Sequence, residues 1–324
     1  MRLPVDVMDL VKSSGQINAE REKPVRIALF VEIDTPEVLV DAAQNAFRAY
    51  SSNAYLHVEV VEPGTTLVVD PSADAVVGLV GSGSSALAES LAAARERAIP
   101  AVALSLSDDA MAIADRLGHP YRDTLVDLDE IRLVELELGD WLTEHVPTKR
   151  LALAHNYAFM RRAVAVEHVK NTAMQNGIIG VVAIIPGTDM PIMTANQAKM
   201  LLQIAAAYGE QLGSQRAKEL FAVVGGGFAL RTIARQAVAF IPGFGWAVKG
   251  AIGYTGSLAM GYAAIKYFER GSDLGDLEDR LKAYGRTIGA RLSKMTRPQA
   301  RQLAAQCDIE LPLAESKNET PEGA

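Results

Sequence analysis

Short runs of β-branched and aliphatic residues alternate with longer stretches of helical period through the first part of the chain. Val25 opens VRIALFVEI, Tyr55 opens YLHVEVVE, Asp74 opens DAVVGLVG and Pro100 opens PAVALSLS. The first, third and fourth are almost unbroken in apolar residues, which is how strands buried on both faces of a parallel sheet read. Between them lie TPEVLVDAAQNAFRAY, SSALAESLAAARERA and SDDAMAIADRLG, each led by an N-cap residue type and spaced for a helix. A fifth strand, DTLVDL from Asp123, leads into a helix from Asp129 to about His145. After a polar lead-in at 1–24, this alternation predicts a doubly wound, Rossmann-like α/β domain over 25–146.

From Thr148 the pattern turns helical throughout. TKRLALAHNYAFMRRAVAVEHVKNTAMQ predicts one long amphipathic helix, and the run GIIGVVAII is closed by the breaker cluster PGTDMP. The next helix carries Thr194 at an N-cap and Gln197 at N3, a capping box, and stops at Gly209. Residues 220–271 then hold two apolar arms around the turn IPGFG, an αα-hairpin. Its glycines, among them Gly225, Gly245, Gly250, Gly253, Gly256 and Gly261, allow close helix approach and are of a kind commoner in membrane helices. The longest uncharged run, Gly250 to Ile265, falls short of the roughly 20 residues that cross a bilayer core. The expectation is therefore a hairpin dipped into one leaflet. Arg231, Arg235 and Lys249 would reach headgroups, with Trp246, Tyr254 and Tyr262 near the interface. Residues 272–312 read as amphipathic helices and 313–324 as a disordered tail.

Charge sharpens this division. Residues 1–146 carry 11 Lys and Arg against 25 Asp and Glu, whereas 147–271 carry 13 against 5, all within a net charge of −7. A cationic segment that is also apolar suits an anionic lipid surface. Its basic residues stand singly among apolar ones, without interleaved stacking groups, which argues against nucleic acid. A soluble helical core with a solvated basic rim is the plain alternative. No apolar run of signal-peptide type follows the amino terminus, so the expected location is the cytoplasmic face of an inner or plasma membrane. The lone Cys307 has no Cys or His at metal-ligand spacing and reads as a structural thiol.

Catalytic patterns are not found. His57, His119, His145, His155 and His168 include no i, i+4 pair, and there is no G-x-S-x-G elbow. The loop after the first strand, VEIDTPEVL, has neither the glycines nor the lysine of a phosphate-cradling loop. The third strand ends in Gly81, Ser82, Gly83 and Ser84, whose backbone N–H groups at a helix start would suit an anion; the same residues also make ordinary turns and caps. Asp34, Glu37, Asp108, Asp109 and Asp127 fall at strand ends where a cation is conceivable, and where an acidic rim is usually only solvated. No metal is expected.

The succession PGTDMPIMTANQAKMLLQIAAAYG, then ELFAVVGGGFALRTIARQAVAFIPGFGWAVKGAIGYTGSLAMGYAAIKYFERG, resembles the domain of unknown function 697 family, which includes YcjF-like bacterial inner-membrane proteins. The resemblance covers about residues 165–271. It implies a membrane-associated helical module without known catalysis, often preceded by a small GTPase domain, so that the α/β domain here would be a diverged GTPase. The chain lacks GKS or GKT after the first strand and NKxD or TKxD at Ser105 to Asp109. The expected function is accordingly that of a non-enzymatic, membrane-associated protein binding lipids and a partner protein or a second copy of itself. Asp189 and Gln197 would organise a turn between apolar helices or merely cap it. A soluble switch binding GTP or another nucleotide at the glycine loop, and an oligomeric scaffold, are the rival expectations.

Overall fold

A computed structural model describes residues 7–62, 64, 67–106, 125–127, 134–182, 189–210, 212 and 245–270. The helix expected at SDDAMAIADRLG, Arg231, Arg235, residues 241–244 of the IPGFG turn, Cys307 and the carboxyl-terminal helices lie outside the described residues. The chain divides into two compact units, one built of 13–167 and 203–212, the other of 1–12, 168–202 and 213–324.

The first unit is α/β. Strands β1 (Val25–Glu32), β2 (Ala54–Val61), β3 (Ala75–Leu79), β4 (Ala101–Ser105) and β5 (Leu125–Asp127) form one sheet in the order β2-β1-β3-β4-β5. Every pairing is parallel. This is an order of doubly wound sheets, with the switch in winding direction between β1 and β3. All five expected strands are present. Their apolar content sorts them by position: β3 and β4 are buried along their whole length, whereas most of β2, the alternating strand, is exposed at the sheet edge. The core contains Phe30, Val76, Leu87 and Leu91, with helix α3 (Ser85–Glu96) laying Leu87 over Gly78, where an added Cβ would meet its Cδ1 at 2.9 Å.

The polar lead-in is itself a helix, α1 (Val7–Arg21), which buries Ser14, Ile17 and Arg21. Helix α2 (Glu37–Ala46) follows Pro36 at its N-cap, so Thr35 is not a cap; its hydroxyl donates instead to the Leu79 carbonyl at 3.0 Å. Helix α4 (Val134–His145) carries the sequence toward the long helix expected from Thr148, which is in fact two helices. Helix α5 (Arg150–Asn156) ends where Tyr157 takes an extended backbone, φ −127° and ψ 124°, and bridges to Ala49. The Tyr50 N–H donates to the Asn156 carbonyl at 2.9 Å, so a tertiary backbone bond replaces helical continuation. Lys149 belongs with the sheet: its ammonium donates to the Pro24 carbonyl and to Asp74, each at 2.7 Å.

Helices α6 (Met160–Val182) from residue 168, α7 (Asp189–Ala207) up to residue 202 and α8 (Gly245–Arg270) supply most of the described part of the helical unit. Because α7 begins by Asp189, Thr194 and Gln197 are interior residues and no capping box forms there. The other end is as expected: Gly209, at φ +90°, ends the helix, with Gly209 N–H bonded to Ala206 O and Glu210 N–H to Ala205 O, a Schellman pair. The α/β region followed by helices thus stands. Of the hairpin, only the second arm, α8, falls among the described residues.

Candidate functional site

The crevice at the carboxyl ends of β1 and β3 is where a sheet of this order places a ligand. Strand β3 must leave the sheet there and start α3, and Gly81, Ser82, Gly83 and Ser84 make that turn. Gly83 takes φ +76°, a backbone conformation that L side chains rarely adopt. Gly81 faces Asp34 so closely that a Cβ would lie 2.6 Å from the Asp34 carbonyl carbon and overlap its carboxylate. Ser84 is the N-cap, its hydroxyl accepting from the Leu87 N–H at 3.3 Å. The four glycine-loop residues are therefore together, at a helix start, as an anion nest requires.

The nest is already filled from within. Glu32, the last residue of β1, is buried at 2% exposure. One carboxylate oxygen accepts from the N–H groups of Gly81 and Gly83, both at 2.8 Å, and the other accepts from the N–H of Ser84. Converging N–H donors and the amino end of α3 supply the partial positive charge that lets a carboxylate sit away from water. Sequence reasoning identified the donors and overlooked the acceptor. A glutamate closing the apolar run Ile27 to Val31, in VRIALFVE, was the available signal.

A second polar cluster lies wholly within the helical unit. Asn176 is fully buried on α6; its Nδ2 donates to the Ser257 hydroxyl at 2.8 Å and to the Met193 carbonyl at 3.2 Å, while its Oδ1 accepts from Asn196 at 3.0 Å. Ser257 on α8 also accepts from Gln197 at 3.2 Å and donates to the Gly253 carbonyl at 2.8 Å. Ser257 is thereby saturated, and Asn176 has both amide hydrogens and its side-chain oxygen engaged. Gln197, expected to shape a turn, is one member of this network. Asp189 is the first residue of α7, and Trp246 and Lys249 lie in the first turns of α8, with side chains outside the description.

Three glycines of α8 lie against α6. A Cβ on Gly250 would be 2.6 Å from the Val181 side chain, one on Gly253 would be 2.6 Å from the Asn176 carbonyl oxygen, and one on Gly261 would overlap Val169. As numbers rise along α8 they fall along α6, so the two helices run antiparallel at close range.

Against known protein families, characterised proteins and solved structures, the chain finds no match. Among the described residues no helix is long and apolar enough to cross a membrane, and no group of three or more His, Cys, Asp or Glu is placed to hold a metal ion.

Proposed function

We propose that this is a non-enzymatic, membrane-associated protein in which a cationic helical module meets anionic lipid and a diverged GTPase-like α/β domain serves as a protein-binding head. The observation that carries the reading is the buried Glu32 carboxylate in the glycine loop. It occupies the N–H groups that a phosphate would need, with the same charge sign, so the loop is satisfied without a ligand. The lipid half is supported by the excess of basic residues in 147–271.

The test is cosedimentation of the full chain with vesicles containing anionic phosphatidylglycerol, compared with purely zwitterionic ones. Neutralising Arg231, Arg235 and Lys249 to Gln is expected to weaken anionic binding by roughly 100-fold, at about 1 kcal/mol for each charge near the surface. Failure of the unaltered protein to bind anionic vesicles would remove the membrane reading. Titration with GTP, GDP and ATP in a calorimeter is expected to give no heat.

A second reading is supported by the position of the loop at the β1–β3 switch point: a soluble nucleotide switch in which Glu32 is displaced by phosphate. Saturable heat with the unaltered protein, lost on Gly83→Asp, would put that reading first.

A further inference from the structure

The open edge of the sheet is self-complementary, and we propose that β2 pairs antiparallel with β2 of a second copy of this chain about a two-fold axis at Val58. Among the described residues β2 pairs only with β1. The carbonyls of Asn53 and Val61 accept from the N–H groups of Val25 and Ile33, so the odd-numbered residues turn their backbone groups toward β1. The backbone groups of Leu56, Val58 and Val60 consequently point to the open side, since successive residues of a strand alternate.

Centring an antiparallel pair on Val58 matches Val58 with itself and Leu56 with Val60, both as hydrogen-bonded pairs. His57 then stands opposite Glu59 of the second copy, and Glu59 opposite its His57. These fall at non-hydrogen-bonded positions, where facing side chains come closest. An imidazole meets a carboxylate twice, and two carboxylates never face each other. The other face gains as well: Leu56, Val58 and Val60 are 36%, 52% and 54% exposed, and in the pair they join the same residues of the second copy in one apolar stripe. His57 and Glu59 already lie 3.5 Å apart along one strand, so each copy presents the alternation the other needs. A pair made by one strand from each copy is isologous and closes on itself, yielding a dimer rather than a fibre. An extended segment of another protein would find the same free backbone groups without the two-fold match of imidazole to carboxylate.

The test is sedimentation equilibrium of the full chain in density-matched detergent, with circular dichroism and melting temperature as controls of folding. A monomer–dimer equilibrium with Kd of roughly micromolar order is expected for so small an interface. His57→Glu sets Glu against Glu at both pairs and should weaken dimerisation by about 10-fold, from cross-strand pairs contributing up to about 1 kcal/mol each. Adding Glu59→Lys to that variant restores opposite charges and should restore the dimer. Val58→Lys should abolish it. A protein that is monomeric at all concentrations, or a dimer indifferent to all three variants, would overturn the proposal.

Discussion

Two glycine-rich regions of this chain look alike in composition and do opposite things with the space glycine leaves. In the α/β unit, Gly81 and Gly83 bring N–H groups onto the charged Glu32 carboxylate. In the helical unit, Gly250, Gly253 and Gly261 bring two helices together around the neutral groups of Asn176 and Ser257. A cluster of glycines therefore shows that something approaches the backbone closely. It does not show whether that something is an anion, a neighbouring helix or a lipid, and the partner's polarity decides.

The contrast predicts unequal costs when each partner is removed. Glu32→Ala removes the acceptor of the Gly83 N–H, which is buried, and of the Gly81 and Ser84 N–H groups, which are partly buried, at up to about 1 to 3 kcal/mol each before relaxation or entry of water. A loss of about 4 kcal/mol from the α/β unit is expected, read as faster amide exchange over β3 and the start of α3 and a lower urea midpoint. Glu32→Gln should cost about half as much, because one oxygen still accepts while an amide donor faces other donors. Equal stability of all three proteins would mean that the carboxylate is incidental to the loop.

The corresponding break in the helical unit adds bulk instead of removing charge. Gly253→Ala places a methyl 2.6 Å from the Asn176 carbonyl oxygen and 2.9 Å from the Met193 Cε, so α6 and α8 must part. Overpacking of this kind typically costs 1 to 3 kcal/mol, and about 2 kcal/mol is expected here. Exchange should quicken along α6 and α8 and be unchanged in β3. If it is unchanged in α6, the close approach of these helices is not what that glycine is for.

How much of this could be read beforehand follows from which interactions are local. Strands β1, β3 and β4 were legible because burial on two faces leaves nearly unbroken apolar runs, β2 because its β-branched residues alternate, and Gly209 because a left-handed helix end favours glycine. The break at Tyr157 was not, since it depends on a backbone pairing with Ala49, more than a hundred positions away and without local sequence chemistry. Likewise Thr194 and Gln197 satisfied a local capping pattern, but α7 had already begun at Asp189 and the Gln197 amide was directed to Ser257. The glycine loop was visible and its occupant was not. Glu32 stands 49 positions before Gly81, and only the parallel pairing of β1 with β3 brings them together.

The smallest expected effect separates the two regions by pH. In the α/β unit Arg21 donates to His155 Nδ1 at 3.1 Å, and because a guanidinium can only donate, the ring is neutral with its proton on Nε2. Burial, and after it the charge of Arg21, hold the His155 pKa below its ordinary 6.5. Between the folded value and 6.5 the unfolded chain binds a proton that the folded chain does not, so stability rises with pH across that window. The contribution is complete above about 6.5 and is lost as pH falls through it toward the folded pKa. His155→Gln keeps an acceptor for Arg21 and removes the titration, so the fall in urea midpoint between pH 7.5 and pH 5 should be smaller in the variant. The network of Asn176, Asn196, Gln197 and Ser257 contains no group that titrates in this range, so amide exchange along α6, corrected for its intrinsic pH dependence, should not distinguish the two proteins. An identical acid loss with and without the imidazole would show that the neutral ring is not what the Arg21 pocket stabilises.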